Sequence, residues 1–322
     1  MITARGAGDA RIIARRALRY ADGGAPSLGR PPHVRAASGL AWQKQGLVAT
    51  QDDTSFLAVF TPPDGDVHAI TLDHAPGGAR VFEERAGTKQ LKLDLESIAA
   101  IDETRALLIG SGSHANRRRI VVLEGQTTRI VDCEALYDAL AARTEFAGSE
   151  LNIEGAACLR DRLWLANRGN GAPRGEVGAV DAIAELRLDA VLAYLDGRGP
   201  VPSIERVTQV DLGTVRGARL TFTDLAPSRD GRLWFLAAAE RSPNAYDDGE
   251  VAGAAIGVVE PWADSAALSV LVEQDGSHAY CKPEGLAIAG TRGSEVIAYA
   301  CVDADDPDVP SDLITIAAPS PW

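Results

Sequence analysis

Short apolar runs of four to eight residues, divided by glycine-, proline- and aspartate-rich turns, fill most of the chain and predict strands. Gly39–Trp42 and Leu47–Thr50 flank a turn at Gln43–Gly46, and Ser55–Thr61 and Asp66–Leu72 follow around Pro62-Pro63-Asp64-Gly65. The same order recurs four times. Ser97–Ile101, Ala106–Gly110, Arg119–Leu123 and Thr128–Val131 form a second set. Gly155–Leu159, Arg162–Ala166, Asp181–Leu188 and Ile204–Leu212 form a third. Leu225–Ala226, Arg232–Ala237, Ala254–Val259 and Leu268–Glu273 form a fourth, and Gly285–Ala289, Val296–Cys301 and Leu313–Ala317 an incomplete fifth. Asp132–Ala142 and Asp189–Leu195 break the pattern with apolar residues at helical spacing.

Each set opens alike: Ser38-Gly39-Leu40-Ala41, Glu96-Ser97-Ile98-Ala99, Glu154-Gly155-Ala156-Ala157, Asp224-Leu225-Ala226 and Glu284-Gly285-Leu286-Ala287. A period near 60 residues in an all-strand pattern is that of propeller blades. The expected fold is all-β, a single five-bladed β-propeller domain over residues 1–322, or six-bladed if one repeat is degenerate. The fifth set lacks a strand and Ala10–Tyr20 has no set of its own. Pairing the two would complete the last blade and hide the ring's edges.

The first residue of each opening would then stand around the central channel: Ser38, Glu96, Glu154, Asp224 and Glu284. Carboxylates ~6 Å apart at an effective dielectric of about 20 repel by roughly 3 kcal/mol per pair, so the ring needs compensation. A hard divalent cation suits oxygen-only donors, and five in-plane ligands match Ca²⁺ better than octahedral Mg²⁺. The alternative is pairing with Arg168, Lys282 or the Arg117–Arg119 run.

A second polar ring follows the second strand of each set: Gln51-Asp52-Asp53, Ser111-Gly112-Ser113-His114, Asn167-Arg168-Gly169-Asn170, Glu240-Arg241-Ser242 and Asp303-Ala304-Asp305-Asp306. If both rings share a face, Asp53 and Asp303 are candidate bases and His114 a proton shuttle. Arg168, Arg241 and Glu240 are then candidate substrate contacts, the arginines clamping an anion.

The formal charge of −13 argues against nucleic acid and anionic membranes as partners. No apolar run reaches transmembrane length, and the first twenty residues lack a signal-peptide core. Cys133, Cys158, Cys281 and Cys301 are scattered, as expected of free thiols in a cytoplasmic protein, and the composition looks bacterial.

Ser38-Gly39-Leu40 with Asp52-Asp53 downstream, and Glu154-Gly155-Ala156 through Leu163-Trp164-Leu165 to Arg168, resemble the calcium-activated nucleotidase (apyrase) family. That resemblance implies one central calcium held by Ser38, Glu96, Glu154 and Glu284, with Asp224 replacing the family's serine. Asp94-Leu95-Glu96-Ser97-Ile98-Ala99, Gly110-Ser111-Gly112-Ser113-His114 and Pro283-Glu284-Gly285-Leu286-Ala287 resemble repeat openings of bacterial esterase-like phytase propellers and neighbouring families of unknown function. Acid–glycine openings are also similar to gluconolactonase-type calcium propellers. The expected function is calcium-dependent hydrolysis of a phosphate ester or other small anion. The alternative is a non-catalytic propeller whose calcium closes the ring and whose faces bind protein.

Overall fold

The chain folds into strands of two to 13 residues and helices of at most eight, in a computed structural model that describes residues 1–73, 78–241 and 249–320. Ser242 of the second polar ring lies outside these residues. The strands fall into successive antiparallel groups. The first holds β3 (Ala37–Gln43), β4 (Gly46–Gln51), β5 (Phe56–Phe60) and β6 (His68–Thr71). The second holds β7 (Leu95–Ala100), β8 (Arg105–Gly110), β9 (Arg119–Glu124) and β10 (Thr127–Asp132). The third holds β11 (Ile153–Leu159), β12 (Arg162–Asn167), β13 (Ala182–Arg187) and β14 (Ile204–Asp211).

In the fourth, β16 (Ala218–Pro227), β17 (Leu233–Arg241), β18 (Glu250–Glu260) and β19 (Ser265–Val272) follow a short β15 (Thr214–Val215). The fifth holds β20 (Lys282–Arg292), β21 (Glu295–Asp303) and β22 (Asp312–Pro319). Its outer strand is β2 (Arg5–Ala17), antiparallel to β22, so the N-terminus completes it. The strand starts earlier than the apolar pattern indicates, and its first half runs parallel to β19 of the fourth group. Ahead of it, β1 (Ile2–Thr3) runs parallel to β14 of the third. The N-terminus thus stitches three groups together.

The innermost strands close a ring: β3 contacts β7, β7 contacts β11, β11 contacts β16, β16 contacts β20, and β20 contacts β3. The result is an all-β, propeller-like fold. Its core is divided in the same way. One apolar cluster lies between each neighbouring pair of groups. Strand β8 shows why: Leu107 and Ile109 face the third group, whereas Ala106 and Leu108 face the first. A strand buried on both faces reads as a continuous apolar run rather than an alternating one.

The helices α1 (Glu134–Ala141) and α2 (Thr144–Ala147) sit between the second and third groups, and α3 (Leu188–Leu195) joins β13 to β14. They bury Leu136, Tyr137, Leu140, Phe146, Val191 and Leu195 in the cluster between those groups. No helix is long and apolar enough to cross a membrane among the described residues.

Candidate functional site

Each inner strand carries a β-bulge at the same place. The register skips between Leu95 and Ser97, Ile153 and Gly155, Phe222 and Asp224, Pro283 and Gly285, and Ala37 and Leu40. The unpaired residues are Glu96, Glu154, Thr223 and Glu284, with Ser38 at the matching place. A bulge re-aims a side chain and is common beside functional sites. The fourth ring member is therefore Thr223, not Asp224: the opening there is Thr223-Asp224-Leu225-Ala226. Asp224 pairs with Leu236, which matches Ala166 and Cys301, the partners of Gly155 and Gly285.

Asp224 consequently occupies a position that is Gly39, Ser97, Gly155 or Gly285 in the other groups. These residues are small because the inner strands nearly touch. A Cβ on Gly155 would lie 2.7 Å from the Leu225 nitrogen, and one on Gly285 2.9 Å from the Gly39 carbonyl carbon. The Asp224 side chain takes the remaining space. Its Oδ1 accepts from the Leu225 amide at 2.7 Å and its Oδ2 from the Leu286 amide at 2.7 Å. The Ala156 and Leu40 amides are also directed at it. The four donors occupy one position of four different groups, so a carboxylate knits the inner strands together. Burial pushes this carboxyl well above its usual range, against the pull of the amides.

The other ring members divide. Glu96, Glu154 and Glu284 line a cavity of about 580 Å³, together with Asp53, Asp303 and Arg168 of the second ring. Ser38 and Asp224 do not line it: Ser38 donates to the Ala36 carbonyl at 3.0 Å, and Thr223 donates to the Pro283 carbonyl at 2.6 Å. The structure thus brings three of the five proposed ligands to one space.

Charges in the cavity meet internal partners. Arg168 spans Glu154 at 3.4 Å and Glu240 at 3.0 Å, and its Nε donates to Thr221 at 3.2 Å. The Lys282 Nζ stands 3.2 Å from Glu284 and 2.8 Å from Asp305. The Lys92 Nζ stands 2.7 Å from Asp52 and 2.5 Å from Asp94, and Arg117 is 2.9 Å from Asp94. Arg35 joins Asp53 and Glu83, each at 2.7 Å. Carboxylate oxygens of Asp52, Asp94 and Glu96 all lie within 4.8 Å of one another.

These surroundings set the proton affinities. Burial pushes Glu96 well above the ordinary range, helped by Asp94, Glu154 and Asp52. Burial likewise raises Glu284 and Glu154, opposed by Lys282 and Arg168 respectively. Asp94 goes the other way: burial opposes, but Lys92 and Arg117 pull it below the usual value. Burial carries Asp53 to about 7, with Asp52 adding to the rise and Arg35 opposing. Burial carries Asp303 to about 7 against Lys282.

The remaining second-ring residues lie elsewhere. His114 is exposed beside the turn at Ala115–Arg117 and does not line the cavity. Arg241 is exposed, pairing with Glu250 at 3.0 Å and the Arg216 carbonyl at 3.2 Å. Glu240 sits behind Arg168 rather than on the cavity wall. Sequence reasoning gave no role to Lys92, Asp94, Arg35 or Glu83. A spacing signal for two of them was present, Lys92-x-Asp94-x-Glu96, although strand alternation does not bring them together: Lys92 and Asp94 precede β7, and Asp94 is left-handed at φ 56°. Lys282-x-Glu284 and Asn152-x-Glu154 repeat it, and Asn152 donates to Glu154 at 2.7 Å.

A family model matches residues 33–317, nearly the whole ring. The chain belongs to a family of unknown function (DUF6929). No curated protein matches the chain. Similar solved structures include a gluconolactonase from Xanthomonas campestris, at 12% identity and TM-score 0.43, covering 97% of this chain and 99% of that one. A PQQ-bound aldose sugar dehydrogenase from Streptomyces coelicolor matches at 11% identity and TM-score 0.41, over 94% and 98% of the two chains. A luciferin-regenerating enzyme matches at 11% identity and TM-score 0.40, over 95% of each.

Proposed function

We propose that the cavity at the channel mouth is the site of a calcium-dependent hydrolase acting on a phosphate ester or other small anion, in a cytoplasmic protein. The observation that carries this reading is the convergence in one cavity of two carboxyls near neutrality, Asp53 and Asp303, with a triad of carboxylates close enough to share an ion. A base works best when its pKa lies near the working pH.

The donor set fits a hard divalent cation, being all oxygen. The holders would be Asp52, Asp94 and Glu96 rather than the five-residue ring. The ammonium of Lys92 sits against two of them and neutralises part of their charge, so an ion there would share these carboxylates with it. A bound Ca²⁺ would supply polarisation of a substrate oxygen. The lining holds ten carboxyl groups and seven Lys or Arg side chains, and a divalent ion would favour the ionised form of those carboxyls that burial keeps protonated. Asp303 accepts a proton from water, Lys282 holds it in place, and Arg117 and Arg168 offer charge to the anion.

A second reading, a non-catalytic scaffold that binds protein, is favoured by one observation: Glu154, Glu284 and Asp94 are each matched by an internal cation. Turnover of nucleotides, phytate, p-nitrophenyl phosphate and a lactone separates the two. The hydrolase reading expects turnover of at least one with Ca²⁺, lost with EDTA and in Asp303→Asn. Calcium-loaded protein that turns over none of them contradicts it and leaves the scaffold.

A further inference from the structure

A second cavity, of about 380 Å³, shares a wall with the first. Lys282, Asp303 and Asp305 line both. The two differ in chemistry. Of the 21 residues lining the first, only Ala36, Phe82 and Pro307 are apolar. Of the 12 lining the second, half are apolar, Tyr280, Val251, Val302, Val309 and Pro310 among them. Apolar side chains grouped on one cavity wall give the apolar part of a ligand a surface to bury against. Tyr280 is 57% exposed and Val309 43%, two of the six exposed large hydrophobic residues among those described, and both stand on this cavity. The Arg216 guanidinium lies 5.1 Å from the Tyr280 ring centre and faces it from one side.

We propose that the second cavity is the subsite for an apolar, aryl-type group of the substrate, whose charged head occupies the first cavity and whose scissile bond lies over the shared wall at Asp303. This rests on the hydrolase reading and narrows it to esters of a small anion with an apolar alcohol. Hydrolysis of such a phosphate ester bonds the water oxygen to phosphorus and breaks the bond from phosphorus to the alcohol oxygen. The proton that Asp303 takes from water is returned to that oxygen, so the carboxylate is regenerated. Tyr280 and Val309 act on specificity by covering the leaving group, not by touching the reacting atoms.

Calorimetry on the full chain loaded with Ca²⁺ tests this with two probes that are not hydrolysed, methylphosphonate and phenylphosphonate. Burying one face of a phenyl ring predicts phenylphosphonate about tenfold tighter. In Tyr280→Ala the two probes then bind within about twofold of each other, and Val309→Ser gives an intermediate ratio, while methylphosphonate affinity is unchanged in both. Both side chains are at the surface, so both variants fold. Equal affinity for the two probes in wild type, or an equal loss for both in Tyr280→Ala, overturns the subsite alone. If neither probe binds, the subsite and the hydrolase reading fall together.

Discussion

Asp303 stands on the wall between two cavities, and burial holds its carboxyl near 7. As a base it works only when ionised, so kcat/KM should climb as pH rises through about 7. Stability should show the opposite sign. Between the ordinary value of 3.8 and about 7 the folded state holds a proton that the unfolded state has shed, so this residue's contribution is lost as pH rises. Asp303→Asn should therefore gain on the order of 4 kcal/mol relative to wild type between pH 4 and pH 8, by urea denaturation. Asp224 is the contrasting case, since its oxygens are committed to backbone amides. Asp224→Asn turns one acceptor into a donor facing N–H groups and should cost about 2–4 kcal/mol by the same measurement. Sequence placed both residues on rings. It put Asp224 one position out, because a threonine at the true position broke the run of acids and the bulge is invisible without strand partners.

The five bulged inner strands decide where side chains point, and small residues decide how close the strands come. Gly155→Ala pushes a methyl group against the Leu225 nitrogen and the Asp224 backbone, and should destabilise by about 1–3 kcal/mol. Turn glycines such as Gly125 have open space around them and should tolerate the methyl sterically, which leaves only the cost of their positive φ. The N-terminal strand is the other element with a decisive place. Removing residues 1–17 uncovers the edges of β19 and β22 together, and the expected outcome on size exclusion is aggregate rather than folded monomer. The apolar run predicted that this strand closes the last group. Its earlier start, parallel to β19, was not legible because Arg5–Asp9 is rich in glycine and charge.

At the scale of the molecule, repetition was the legible part. Doubly buried strands such as Ala106–Ile109 announced themselves as apolar runs, and the inner strands of the successive groups close a ring, as an all-β, propeller-like fold requires. The cavity was legible only in part, because which ring members share a space depends on bulges and loop paths rather than on residue type. Glu96, Glu154, Glu284, Asp53, Asp303 and Arg168 converge there, whereas His114 and Arg241 lie on other surfaces. On the proposed reading this cavity takes a divalent cation between Asp52, Asp94 and Glu96. Calorimetric titration of Ca²⁺ into EDTA-stripped protein, beside Glu96→Gln, tests it most directly. The expected result is one ion per chain, bound with proton release from the raised carboxyl of Glu96, and at least about tenfold weaker binding in the variant. No binding to wild type, or equal binding to both proteins, would contradict it.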